Sequence, residues 1–118
     1  MDRKKQLKEQ YKQMKPDMGI FIIRSKSNNK YHLRVTQNLK GVMNSTKFQL
    51  NANGYQNEEL QNEWTEFGAE KFEIEILEIL QYDKDESRTD YSEELDILKI
   101  VWDEKLSKQN FDPYKGKK

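Results

Sequence analysis

The chain has 118 residues, 34% of them hydrophobic and 36% charged, with no cysteine and 21 basic residues balanced by 21 acidic ones. That length sets one domain, and two Trp, six Tyr and five Phe in periodic blocks supply a core that a disordered chain would lack. The lack of cysteine excludes a disulfide framework and thiolate metal sites; with no apolar signal core behind the Lys-rich start and no stretch near the ~18 apolar residues of a membrane span, a cytoplasmic location without membrane contact is expected.

The zero net charge divides unevenly. Residues 1–50 hold 12 Lys/Arg against Asp2, Glu9 and Asp17, and residues 51–118 hold nine against 18 acids. Such asymmetry fits a nucleic-acid face or a self-complementary surface, unless folding interleaves the two halves.

In chain order, Leu7, Tyr11 and Met14 repeat at helical spacing over residues 2–15, and Pro16 ends that helix. Gly19 to Arg24 reads as a strand through Ile20, Phe21, Ile22 and Ile23. The polar turn cluster Ser25–Asn29 joins it to Tyr31–Thr36, where Tyr31, Leu33 and Val35 alternate with His32, Arg34 and Thr36. The two form a β-hairpin. Asn38–Leu50 has helical spacing interrupted by Gly41, which costs about 1 kcal/mol relative to alanine. Residues 51–54 form a loop. Asn57 caps a helix whose buried face is Leu60, Trp64 and Phe67 and whose stop is Gly68. Phe72–Leu80 follows as a strand and residues 81–88 as an acidic loop. Asp90 and Glu93 have capping-box spacing at the head of a last helix with Tyr91, Leu95, Leu98, Trp102 and Leu106 as its stripe.

The order and several residue strings resemble the GIY-YIG nuclease family. Gly19-Ile20-Phe21 is similar to its GIY element, and Lys30-Tyr31-His32-Leu33-Arg34-Val35-Thr36-Gln37-Asn38-Leu39 to the stretch around YIG. Asn57-Glu58-Glu59-Leu60-Gln61-Asn62-Glu63-Trp64 and Phe67-Gly68-Ala69-Glu70-Lys71-Phe72 resemble its following helix and strand. The resemblance spans roughly residues 18–106. It implies an α+β fold with a small three-stranded antiparallel sheet, the hairpin plus one strand, flanked by helices. An extra N-terminal helix precedes that domain over residues 1–17, and residues 107–118 form a basic flexible tail.

The family is implied to cut DNA with one divalent metal, using two tyrosines, an arginine, a histidine and a metal-holding glutamate. Matched position by position, the first tyrosine is Phe21, the second His32, and the YIG glycine Arg34. The arginine is Val42 and the histidine Thr46. Aligning the last helix on Trp102 puts Lys99 at the glutamate, with Glu94 and Asp96 as other candidates. Phe21 has no hydroxyl to orient water, Val42 offers no bidentate contact to phosphate, and Lys99 repels a metal. No catalytic residue and no cofactor is therefore expected.

The expectation is a non-catalytic module that keeps the scaffold and binds nucleic acid or protein. Arg24, Lys26, Lys30, Arg34, Lys40 and Lys47 are its candidate contacts to DNA or RNA, since backbone binding needs a basic stripe. Solvated lysines guarding sheet edges are the plain alternative. An endonuclease with displaced groups, needing magnesium or manganese, and a self-associating structural protein are the other readings. Asp83, Asp85, Glu86 and Asp90 lack the glycine and closing glutamate of a calcium loop and read as solvating.

Overall fold

The computed structural model describes residues 15–85 and 87–115. The expected helix over residues 2–15 lies outside them, apart from its last residue. Four strands and three α-helices follow in the order β1 (Met18–Ser25), β2 (Lys30–Thr36), α1 (Leu39–Asn51), α2 (Glu58–Phe67), β3 (Phe72–Leu80), α3 (Ser92–Lys108) and β4 (Asp112–Pro113). The sheet order is β3-β1-β2-β4.

β1 is central, and its continuous apolar run follows from burial on both faces. Met18, Ile20, Phe21, Ile22 and Ile23 are all at 0% exposure. The hairpin forms as expected, antiparallel, with Phe21 opposite Arg34 and Ile22 opposite Leu33. Its turn is stapled by Ser25 Oγ accepting from the Ser27 N–H (3.1 Å) and Asn28 Oδ1 from the Lys30 N–H (2.9 Å). β3 pairs antiparallel with β1, with a bulge opposite Ile20/Phe21. Gly19 sits beside that bulge, where a Cβ would lie 2.1 Å from the Glu78 carbonyl oxygen.

The sheet is mixed rather than three antiparallel strands. Its fourth strand comes from the segment expected to be a flexible tail: β4 runs parallel to β2, the Asp112 N–H bonds to the Asn29 carbonyl and the Tyr114 N–H to the Tyr31 carbonyl at 2.7 Å. Phe111 packs edge-on against Tyr31, and Tyr114 is buried with its hydroxyl donating to Glu63 at 2.6 Å. Two aromatic anchors hold what charge composition alone assigns to solvent.

Helices α1 and α2 cover one face of the sheet. Gly41 does not break α1, because it stands in the first turn, where a Cβ would lie 2.4 Å from the Asn38 amide that caps the helix through the Gly41 N–H. Asn57 caps α2 as expected, accepting from the Leu60 N–H at 3.1 Å. Leu60 and Trp64 point inward, but Phe67 is 39% exposed, and the third inward residue is Gln61. The Gln61 amide accepts from the Tyr55 N–H and donates to the Leu50 carbonyl, satisfying two backbone groups of the α1–α2 connection. Trp64 stacks on Phe72 at 5.0 Å, and its indole N–H donates to Asn51 at 3.0 Å.

On the other face α3 packs through Leu98, Trp102 and Leu106 against Ile20, Ile22, Tyr31 and Leu33, and through Leu95 against Met18. The expected capping box is absent. α3 opens at Ser92, and Asp90 Oδ1 instead accepts from the Ser92 N–H and hydroxyl. β3 is an edge strand with Ile76 and Ile79 more than 40% exposed, meeting Trp64 through Phe72 and Trp102 through Glu78, and Trp102 is only half-buried. No helix among the described residues is long and apolar enough to cross a membrane.

Candidate nucleic-acid interface

Alternation along β2 sends Tyr31, Leu33 and Val35 toward α3 and His32 and Arg34 toward α1. Of the six positions matched to reactive family residues, five therefore meet on the α1 face. Two of them have joined the core. Phe21 is wholly buried among Ile23, Leu39 and Leu60, and Val42 packs against that cluster. The other three are polar and engaged. Arg34 Nη1 donates to the hydroxyl of buried Thr46 at 3.1 Å, and the guanidinium lies 5.9 Å from the Tyr55 ring centroid. His32 Nε2 shares a 2.8 Å hydrogen bond with the Tyr55 hydroxyl, the rings meeting edge to face.

The sixth, Lys99 on α3, approaches from the β2 edge. It lines a cleft of about 520 Å³ with Tyr31, His32, Asn57, Asp103 and Tyr114. Burial, then the charges of Arg34 and Lys99, hold the His32 imidazole down at about 4, so the ring is neutral at pH 7. Burial raises the Tyr55 hydroxyl, opposed by Arg34. The two charges acting on the neutral ring are thus both cationic, Arg34 on the same strand and Lys99 on α3. Among the described residues neither cation forms a salt bridge.

The six expected contact residues separate. Arg24 lies on the opposite face and pairs with Glu75 and, at 3.9 Å, with Glu73. Lys30 pairs with Glu59, which raises the ammonium and lowers the carboxylate through their hydrogen bond. Lys26 stands exposed in the hairpin turn. Arg34, Lys40 and Lys47 remain on the α1 side, the two lysines seven residues apart and hence on one flank of that helix.

Two residues of this region escape a sequence reading. Tyr55 follows a loop with no periodicity, though a lone aromatic between two helices is a weak signal of an anchored loop. Asp103 stands one turn past Lys99, beside the apolar stripe, and accepts from the Tyr31 hydroxyl at 3.0 Å. Burial and that bond push Tyr31 up to about 12. The other carboxylate candidates are elsewhere: Glu94 is held by Arg88, and Asp96 is exposed and not among the cleft residues.

A divalent metal, as the GIY-YIG resemblance implies, does not fit this donor set. Among the described residues no group of three His, Asp or Glu could hold one, and the cleft presents an ammonium beside its single carboxylate.

The architecture defines a class: the fold is similar to that of a GIY-YIG nuclease catalytic domain. Among solved structures, the catalytic domain of the homing endonuclease I-TevI superposes with a TM-score of 0.64 at 21% identity, covering 83% of this chain and 98% of that one. A point mutant of the same domain superposes with a TM-score of 0.65 at 19% identity, covering 84% and 92%. No family model matches the sequence, and no curated protein matches it.

Proposed function

We propose that this chain is a non-catalytic GIY-YIG-like module that binds the phosphate backbone of nucleic acid with its own cations in place of a metal. The observation that carries this reading is that Lys99 lines the cleft with neutral His32 while Arg34 follows two residues on along the same strand face, both cations free of carboxylate partners among the described residues. A fixed ammonium and a guanidinium offer a phosphodiester the charge neutralisation that a bound metal would otherwise supply. Cleavage needs more: a group to prepare water and a donor for the developing charge, at positions where this chain has buried Phe21 and, packed against the same cluster, Val42. Binding is read as sequence-blind, because nothing in the set reaches for base edges.

With Arg34, Lys99, Lys40 and Lys47 as four phosphate contacts, log affinity for duplex DNA should fall against log salt with a slope of about −3.6, from ~0.9 per contact. The test is fluorescence anisotropy of a labelled duplex in EDTA over a salt series. Arg34→Ala with Lys99→Ala should bring the slope to about −1.8. No association at low salt, or an unchanged slope in the double variant, would remove the nucleic-acid reading and leave a protein partner.

A further inference from the structure

The outer side of α3 carries an apolar row that joins no core cluster among the described residues. Ile97, Ile100 and Val101 are exposed by 55%, 64% and 40%, while Leu95, Leu98, Trp102 and Leu106 turn the other side to the sheet. Large apolar side chains gathered on one exposed helix face mark a contact surface.

The residues around the row give that surface a direction. Glu93, Ile97, Ile100, Glu104 and Ser107 follow one another at alternating steps of four and three, the spacing of a seam between two helices. The first turn of α3 is acidic, with Glu93 and Glu94, and the last is basic, with Lys105 and Lys108. Glu104, inside the row, already has a cation on its own helix, Lys108 at 3.7 Å. The helix that suits this face therefore runs antiparallel to it, with a basic end beside Glu93 and an acidic end beside Lys108. α3 itself answers that description. A parallel copy would instead set the two acidic turns together.

We propose that two copies of this chain associate through the outer sides of α3, antiparallel, about a twofold axis between Ile100 and Val101. Ile97, Ile100 and Val101 are covered at the seam, and Glu93 of each copy stands beside Lys108 of the other. At 1.5 Å per residue both lie ~11 Å from the axis, so they meet at the same height. Three apolar side chains and a charged rim make a small interface, which gives a weak, concentration-dependent dimer in the micromolar range or above. Lys99 and Asp103 leave α3 toward the cleft, not toward the seam, so each copy keeps its cleft and the dimer carries two. The inference does not rest on the nucleic-acid reading.

Sedimentation velocity on the full chain from about 5 to about 500 µM should show monomer passing into dimer. Ile100→Glu, at an exposed position, should abolish the dimer with circular dichroism unchanged, while Ile76→Glu, exposed on β3, should leave it. The chain has no cysteine, so introduced thiols report without background. Val101→Cys, next to the axis, should link to itself under mild oxidation and run at dimer mass on a non-reducing gel. Lys108→Cys should not, because its two copies stand ~22 Å apart, yet mixed with Glu93→Cys chains it should give the mixed dimer. A monomer at every concentration, the result expected if another segment of the chain covers the row, would overturn the proposal. So would a dimer indifferent to Ile100→Glu, one lost equally in Ile76→Glu, or a Lys108→Cys chain that links to itself.

Discussion

Trp64 and Trp102 anchor helices on opposite faces of one sheet, and the sequence pattern around them is nearly the same. Each sits on an apolar stripe with leucines one turn away. Their surroundings differ. Trp64 is 5% exposed, stacked on Phe72 and closed over by Tyr55, Leu60 and Tyr114, whereas Trp102 is half-buried, bonded to Glu78 and overlain by Lys105. The reason is coverage. Two helices and Tyr114 meet on the first face, and among the described residues α3 alone lies on the second. On the crowded face Phe21 is wholly buried and Val42 packs against the same cluster. Lys99, on the sparser side, is exposed and lines the cleft.

This contrast is open to measurement. Trp64→Ala should cost about 3–5 kcal/mol in chemical denaturation, a cavity between packed layers, and should bring a marginal domain near unfolding. Equal costs at Trp64 and Trp102 would break the comparison.

His32 belongs to the crowded face and gives it a pH signature. Its folded pKa is depressed to about 4 from 6.5, so between those values the unfolded chain binds a proton that the folded one refuses. Stability from this residue is present above pH 6.5 and is lost as pH falls toward 4, by up to about 3 kcal/mol. Denaturation midpoints followed over that window should lose this slope in His32→Gln. A slope that survives the substitution belongs to other groups.

Trp102→Ala should cost about 1–2 kcal/mol, because much of its ring stays in contact with water. The smallest effect is expected at Arg24, whose pairs with Glu73 and Glu75 are partly solvated: Arg24→Ala should change stability by less than about 1 kcal/mol and leave the salt slope of DNA binding unchanged. A flattened slope would return Arg24 to the interface.

The hairpin, the Asn57 cap and the burial of Trp64 were legible because local periodicity and global packing agree there. Helix α1 was ambiguous in sequence for one reason, Gly41, and the reason lies in a side chain three residues earlier. β4 was illegible. Two residues including a proline carry no strand signal, and only the aromatic anchors Phe111 and Tyr114 distinguish the segment from a tail. Spacing along the hairpin does not reveal that Glu59, Glu73 and Glu75, distant in sequence, pair with Lys30 and Arg24. Lys99 and His32 were singled out by resemblance alone. Their approach across the cleft depends on how α3 crosses the sheet, which no local pattern encodes.

The central claim is that protein cations take the metal's place, and one native gel tests it directly. Supercoiled plasmid is incubated with the purified chain in EDTA and, in parallel lanes, with manganese. The account predicts a retarded plasmid in both conditions, weakened by Arg34→Ala with Lys99→Ala, and no nicked form in either. Nicking that requires manganese and disappears in His32→Ala or Asp103→Asn would contradict it and assign the cleft to a nuclease with displaced groups.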